Sequence, residues 1–155
     1  MGLFDYDATA SSETPSNEIV FLEEFSSDDW NKVLNIVETR HFQAGQDIVR
    51  NGEQDDSFYI LSSGTVEIIV HDAKGNETVL TSLPEGSVFG EIAFFDGQPR
   101  SATVRAKGSG SAIRISRENF ETFAAWEPLL ARKILLELGK VLSLRLRWTT
   151  RRTAN

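Results

Sequence analysis

The chain has 155 residues and a formal net charge of −7, with 40% hydrophobic and 25% charged residues. This length and composition are typical of one globular domain with its own hydrophobic core. No apolar run approaches the roughly 20 residues that a membrane-spanning helix needs, and no basic segment followed by an apolar one indicates a secretory signal. Because the chain has no cysteine, disulfides and thiolate metal sites are excluded, and the composition suits the reducing cytoplasm, where we expect the protein.

The charge is distributed unevenly along the sequence. Residues 1–60 hold 13 acids and 3 bases, residues 61–99 hold 6 acids and 1 base, and residues 100–155 hold 4 acids and 12 bases. A basic C-terminal third is suited to an acidic surface, including the front half of the same protein, or to nucleic acid. A solvated basic helix is the simpler interpretation.

The N-terminal segment is rich in Ser, Thr and acidic residues. We expect a flexible leader over residues 1–17, followed by a single domain over residues 18–155. The domain is predicted to open with a helix of about three turns, because Ser26 or Ser27 can cap its first turn. The apolar residues that follow repeat at helical spacing, at Trp30, Val33, Leu34 and Val37.

The residue pattern changes between Phe42 and Ile115, where short runs of β-branched and aromatic residues are separated by residues typical of turns. Val66, Ile68 and Val70 occupy every second position, and Glu67 and His71 lie on the alternate positions, as in a half-buried strand. Strands at this spacing favour an antiparallel sandwich or barrel. The predicted turns lie at Asn51-Gly52, Ser63-Gly64, Lys74-Gly75-Asn76, Glu85-Gly86 and Gly108-Ser109-Gly110.

Two helices are predicted after the strands. Ser116 is a good N-cap for the first, and Pro128 can start the second. The second carries an apolar stripe at Leu135, Leu138 and Leu142, which continues to Arg145 and then to Trp148 or Thr149.

One segment, residues 88–106, combines unusual chemistry in the sequence VFGEIAFFDGQPRSATVRA. Gly90 allows a left-handed backbone or a close ligand approach before one short helical turn. A turn at residues 97–99 brings back Arg100, whose guanidinium can bind two phosphate oxygens. Glu91 repels phosphate but accepts hydrogen bonds from hydroxyls. The segment therefore suits a ligand with a phosphate and a sugar hydroxyl, and the alternative is a Glu91–Arg100 ion pair that fixes a loop.

This segment resembles the phosphate-binding cassette of the cyclic nucleotide-binding domain. The family includes regulatory subunits of cAMP-dependent protein kinase, the ligand domain of the bacterial catabolite activator protein and cyclic nucleotide-gated channels. The resemblance extends to FQAGQDIVRNGEQDDSFYILSSGTVEIIV and LPEGSVFGE, and covers about residues 19–150. It implies a mainly β fold, an antiparallel β-roll with an N-terminal helix, a short cassette helix and two C-terminal helices.

The resemblance also implies roles for particular residues. The phosphate would be bound by Arg100, Ser101, Ile92 and Ala93, and the ribose by Glu91 and Gly90. Base-pocket residues would be Ile68, Leu80, Leu83 and Phe89, for each of which an ordinary core position is an equal alternative. The base would be capped by Arg145 or Trp148, and the alternative for both is a helix-surface or dimer contact.

The resemblance leaves the base undecided. Ser101 stands where eukaryotic cAMP-selective sites often have Ala and cGMP-selective sites often have Thr, whereas bacterial cAMP-binding members also carry Ser. We expect cAMP to be favoured over cGMP.

We expect a stand-alone regulatory module without a cofactor, whose C-terminal helices move when ligand binds and act on an effector protein not identified by the sequence. The alternatives are a degenerate fold that serves as an interaction scaffold and an enzyme that acts on nucleotides. The chain ends at Asn155, too early for a helix-turn-helix, so we expect no sequence-specific DNA binding. With two histidines and no cysteine, we expect no metal site. The expected state is a monomer or a homodimer through the C-terminal helices.

Overall fold

The computed structural model describes residues 22–154, with side chains up to residue 151. The predicted leader, residues 1–17, lies outside the described residues, as does the predicted start of the domain. The described chain folds into two four-stranded antiparallel sheets and four α-helices. The predicted mainly β fold, an antiparallel roll with flanking helices, is confirmed.

The strands form two sheets that face each other across the roll. The first sheet has the order β1-β8-β3-β6, and the second has the order β2-β7-β4-β5. The predicted turns separate these strands. The strands are β1 (Glu38–Phe42), β2 (Asp47–Val49), β3 (Phe58–Ser63), β4 (Val66–His71), β5 (Glu77–Leu83), β6 (Val88–Phe89), β7 (Thr103–Ala106) and β8 (Gly110–Ile115).

Three of the four described α-helices begin at a serine cap or a proline, and the fourth begins after Gly90 without a side-chain cap. Ser116 accepts a hydrogen bond from the backbone N–H of Asn119, as a Ser N-cap should. The helices are α1 (Ser27–Val33), α2 (Glu91–Asp96), α3 (Arg117–Trp126) and α4 (Pro128–Ala154).

The first helix is shorter than the predicted three turns. Ser26 caps it in a capping box with Asp29. After Val33 the backbone tightens into a 3₁₀ turn, Leu34–Ile36, and Val37 is already extended toward β1. Leu34 is consequently 49% exposed instead of lying on the buried stripe.

Strand β3 of the first sheet is buried on both faces, which explains why its first four residues are all apolar or aromatic. Tyr59 and Leu61 belong to the cluster inside the roll, and Phe58 and Ile60 to the cluster between this sheet and the helices. The rings of Phe58 and Phe94 pack edge to face with their centroids 4.8 Å apart, and this contact joins the sheet to α2. The helices therefore pack behind one wall of the roll.

Helix α4 crosses this outer cluster with a stripe that differs from the predicted one. Ile134, Leu138 and Val141 are buried, whereas Leu135 is 39% exposed. From Ile134 the buried face continues at steps of four and three residues. It therefore includes Ile134 in place of the predicted Leu135. The stripe continues to the buried Arg145, as predicted.

Candidate functional site

The segment between β6 and β7 forms a tight cassette around Gly90. This residue precedes α2 with a φ of 80°, in the left-handed region. A Cβ atom here would lie 2.8 Å from Nη1 of Arg100 and 3.1 Å from the carbonyl oxygen of Ser57. Only glycine satisfies both the backbone conformation and this close approach.

Arg100 is almost completely buried at the centre of the cassette. Its Nη1 donates to the carbonyl oxygen of Gly90 at 2.8 Å, and its Nη2 donates to that of Ser57 at 2.7 Å. The same Nη2 lies 3.0 Å from Oδ2 of Asp55, its carboxylate partner. The backbone of Arg100 is also fixed, because its N–H donates to the carbonyl oxygen of Glu53.

Asp55 connects the cassette arginine to the rest of the sheet. Its Oδ1 accepts hydrogen bonds from the Ser57 hydroxyl and from Nη2 of Arg114. Burial by itself would raise the pKa of Asp55, but the Ser57 hydrogen bond and the two guanidinium charges outweigh burial and lower the pKa to about 2. The carboxylate is therefore ionised at neutral pH.

Glu91 is fully buried and pairs with Arg145, not with Arg100. Nη1 of Arg145 lies 2.5 Å from Oε1 of Glu91. Nη2 of Arg145 donates to the carbonyl oxygen of Val88 at 2.7 Å. The proposed alternative of a Glu91–Arg100 ion pair is therefore wrong, since each residue has a different charged partner.

A small cavity of about 30 Å³ lies against the cassette. The residues predicted to bind phosphate line it together, with Ser101 exposed and Ala93 buried. The lining comprises Val49, Gly90, Ile92, Ala93, Pro99, Arg100, Ser101, Ala102 and Val104.

The four residues predicted to surround the base are buried together inside the roll, and none of them lines this cavity. Half-buried Trp148 of α4 packs against the same cluster. Arg145 instead reaches Glu91, so the structure separates the two predicted capping residues. The predicted base-pocket residues are Ile68, Leu80, Leu83 and Phe89.

Two buried polar atoms of the cassette have no hydrogen-bond partner among the described residues. One is Nε of Arg100, a donor, and the other is Oε2 of Glu91, an acceptor. Buried polar atoms without partners are uncommon in folded proteins, and each requires an explanation. In a ligand with an anionic group and a hydroxyl, the anion would accept a hydrogen bond from Nε of Arg100 and the hydroxyl would donate one to Oε2 of Glu91.

Two parts of this site were not predicted from the sequence. The first is Asp55 as the partner of Arg100, although the Asp55-Asp56 pair before β3 is a visible signal. The second is the contact of Arg145 with Glu91, because Arg145 was expected at the base. Neither pairing can be read from spacing, because the partners are 45 and 54 residues apart.

Two further classes of site are not found in the described part of the chain. No helix of residues 22–154 is both long enough and apolar enough to cross a membrane. Within the same residues, no three His, Cys, Asp or Glu side chains are grouped so that they could hold a metal ion.

Comparison with known proteins gives consistent results. The chain is 33% identical over 104 residues to the cAMP-dependent protein kinase regulatory subunit of Mucor circinelloides f. lusitanicus, covering 67% of this chain and 24% of the relative. It is 35% identical over 109 residues to the cAMP-activated global transcriptional regulator CRP of Pasteurella multocida, covering 70% of this chain and 50% of the relative. The chain thus spans only a quarter to half of these relatives.

A solved structure supports the fold. The crystal structure of a cyclic nucleotide-binding domain from Methylobacillus flagellatus superposes with a TM-score of 0.78 at 22% identity, covering 89% of this chain and 78% of that one. The family described as Cyclic nucleotide-binding domain matches residues 39–125, more than half of the chain. This chain therefore belongs to the cyclic nucleotide-binding domain family.

Proposed function

We propose that this chain is a regulatory module that binds a cyclic nucleotide, with the phosphate at Arg100 and the ribose at Glu91. The observation that carries the proposal is the pair of buried atoms without partners, one donor on Arg100 and one acceptor on Glu91. Family membership supports the same ligand class.

Arg100 is prepared for an anion by its surroundings. Asp55 and the carbonyl oxygens of Gly90 and Ser57 hold the guanidinium in one orientation, so little conformational freedom remains to be lost on binding. A phosphate in the adjacent cavity would accept from Arg100 and from Ser101, and the backbone at Ile92 and Ala93 would line its other side.

Glu91 would accept a hydrogen bond from the ribose hydroxyl. Its Oε1 is engaged by Arg145, while Oε2 is available, so a hydroxyl can either add to the pair or replace the guanidinium. A carboxylate at this place repels phosphate and accepts from hydroxyls, which orients the nucleotide in the site.

The cavity beside the cassette is smaller than a nucleotide. The cassette cavity is about 30 Å³, whereas pockets for ligands of this size occupy roughly 300 Å³ or more. Trp148 lies against the roll cluster, and Arg145 covers Glu91. Because both belong to α4, binding requires this helix to move, and that movement would be the output to a partner protein.

We infer that cAMP is favoured over cGMP, because the names of the two relatives above refer to cAMP. An exposed Ser101 at the cavity is compatible with either base. The proposed role is binding and not catalysis, and the proposed location is the cytoplasm.

The decisive experiment is a calorimetric titration of the full chain with cAMP and, separately, with cGMP. Arg100→Ala should weaken binding by roughly 2–5 kcal/mol, because the phosphate charge would be buried without its partner. Arg100→Lys keeps the charge but not the two-pronged geometry, and should bind with intermediate affinity.

Arg105→Ala is the matched control, since Arg105 pairs with Asp47 and Glu77 away from the cavity. Heat from neither nucleotide would contradict the proposal and favour an interaction scaffold. Hydrolysed nucleotide after incubation would favour an enzyme, and unchanged affinity in both Arg100 variants would show that the phosphate lies elsewhere.

A further inference from the structure

The last turns of α4 present an exposed face that is both apolar and basic. Leu146 is 53% exposed, and Arg147 and Arg151 are exposed beside it. An open groove of about 810 Å³ runs along these turns. We call this surface the distal α4 face, and it is lined by Ser143, Leu144, Leu146, Arg147, Thr150 and Arg151.

The charges of the distal α4 face are not balanced by the part of the chain that the structure describes. Neither Arg147 nor Arg151 forms an ion pair with any described carboxylate. The half-buried Glu137 is the acid of α4, and it pairs with Lys140. An acidic partner with some apolar surface would complement this face in both respects.

The N-terminal segment of the same chain has the complementary composition. Residues 1–21 contain four acids and neither Lys nor Arg. Residues 3–7, with the sequence Leu-Phe-Asp-Tyr-Asp, alternate apolar or aromatic side chains with two acids. No other stretch of these 21 residues places two acids so close to aromatic side chains.

We propose that residues 3–7 dock on the distal α4 face of their own chain. Asp5 and Asp7 would pair with Arg147 and Arg151, and the aromatic side chains would cover Leu146. The inference does not depend on nucleotide binding, so it is tested without ligand.

The tether is long enough for this contact. Leu22 is a buried member of the cluster that also contains Leu138 of α4. From Leu138 to Arg151 the helix rises roughly 20 Å, whereas the 16 residues 6–21 reach up to roughly 50 Å when extended.

A contact within one chain also overcomes the weakness of exposed ion pairs. Such pairs are individually weak and are screened by salt. A short tether, however, supplies an effective concentration in the millimolar range. A contact too weak to form between separate molecules would therefore be populated within one.

The experiment places a nitroxide label beside the segment. Because the chain has no cysteine, Ala8→Cys gives a single labelling position. We expect the label to reduce the amide NMR signals of residues 143–151 in the full chain. Arg147→Glu with Arg151→Glu should abolish this loss, whereas Arg132→Glu with Lys133→Glu, on the first half of the same helix, should leave it.

A charge exchange keeps the test independent of folding. Asp5→Lys with Asp7→Lys should abolish the signal loss, and combining it with the two α4 reversals should restore it. Signal loss that persists in 1 M salt, where the screening length is about 3 Å, would contradict charge pairing.

Three further outcomes would overturn the proposal: no signal loss on α4, signal loss confined to another surface, and signal loss in a second molecule that carries no nitroxide. The last is tested by mixing labelled chain with ¹⁵N-labelled, nitroxide-free chain. Signal loss in the nitroxide-free molecules would show that a second copy occupies the face.

Discussion

Buried charge is concentrated in two arginine pairs, Arg100 with Asp55 and Arg145 with Glu91. Removing ions from water costs several kcal/mol per ion, and a buried pair returns that free energy only when its geometry is good. Each guanidinium here also donates to at least one backbone carbonyl oxygen. These arrangements hold both arginines at the site and make each of them costly to remove.

Removal of one partner of the Arg145–Glu91 pair should therefore be strongly destabilising. Arg145→Met leaves the Glu91 carboxylate buried without its cation, and we expect a loss of about 3–5 kcal/mol in the free energy of unfolding. Urea denaturation measures this loss.

Arg147→Met is the matched control, because Arg147 lies on the same helix, two residues after Arg145, and is exposed. This substitution should change the free energy of unfolding by about 0.5 kcal/mol or less. In the double variant Arg145→Met with Glu91→Gln, the loss should be smaller than the sum of the single losses. Additive losses would show that the two residues do not stabilise each other.

At this scale the sequence predicted residue types better than pairings. The resemblance of the cassette implied that Gly90, Glu91 and Arg100 form one site. In the structure Gly90 and Arg100 line the same cavity, whereas the Glu91 side chain pairs with Arg145.

The sequence could not predict that Asp55 orients Arg100, since either of two adjacent aspartates satisfies the same pattern. In the structure the Asp55 carboxylate is held by the backbone N–H and the hydroxyl of Ser57, whereas Asp56 is exposed.

At the scale of elements, α4 connects the site to the outside of the roll. Its buried face packs behind the first sheet, and its later turns supply Arg145 and Trp148 to the roll. A single helix therefore spans the apolar cluster and the candidate site. Its packing free energy sets how readily these two side chains can leave.

The packing of α4 can be tested by two leucine truncations. Leu138 is fully buried, so Leu138→Ala should lower the free energy of unfolding by about 2–5 kcal/mol through lost contacts and a new cavity. Leu136, 61% exposed on the same helix, is the control, and its truncation should cost about 0.5 kcal/mol or less. Equal losses in denaturation experiments would mean that the buried face of α4 is incorrectly assigned.

Element boundaries were predictable where local chemistry decides them. Ser116 and Pro128 mark the starts of α3 and α4 because a cap and a fixed φ act within one turn. The length of α1 and the exact stripe of α4 were not predictable from spacing. Both depend on tertiary packing, the first on the path into β1 and the second on the surface that α4 meets.

At the scale of the whole molecule, the described fold is a roll of two sheets with helices packed behind one of them. The sequence predicted this class of fold correctly, because turn residues and apolar runs recur at short intervals. It did not predict that the first sheet is covered on both faces at β3. Only the arrangement of layers shows that β3 faces the roll on one side and the helices on the other.

If α4 moves as proposed, a bound nucleotide should perturb this helix far from the cassette. We expect saturating cAMP to shift the amide NMR resonances of residues 141–151, because the proposed movement takes Arg145 and Trp148 out of their present contacts. Resonances of α1 should change little, since this helix contributes no residue to the cavity. Shifts confined to residues 90–102 would preserve ligand binding but contradict the proposed movement of α4.

The Glu91–Arg145 contact also has a consequence for the sensitivity of the proposed module. A ligand that binds only the open form has its apparent affinity reduced by the fraction of molecules that are open. The strength of this one contact would then set the response threshold, and each 1.4 kcal/mol of change would move it about tenfold. Substitutions at α4 could retune the concentration that triggers the protein without altering any residue that binds the phosphate.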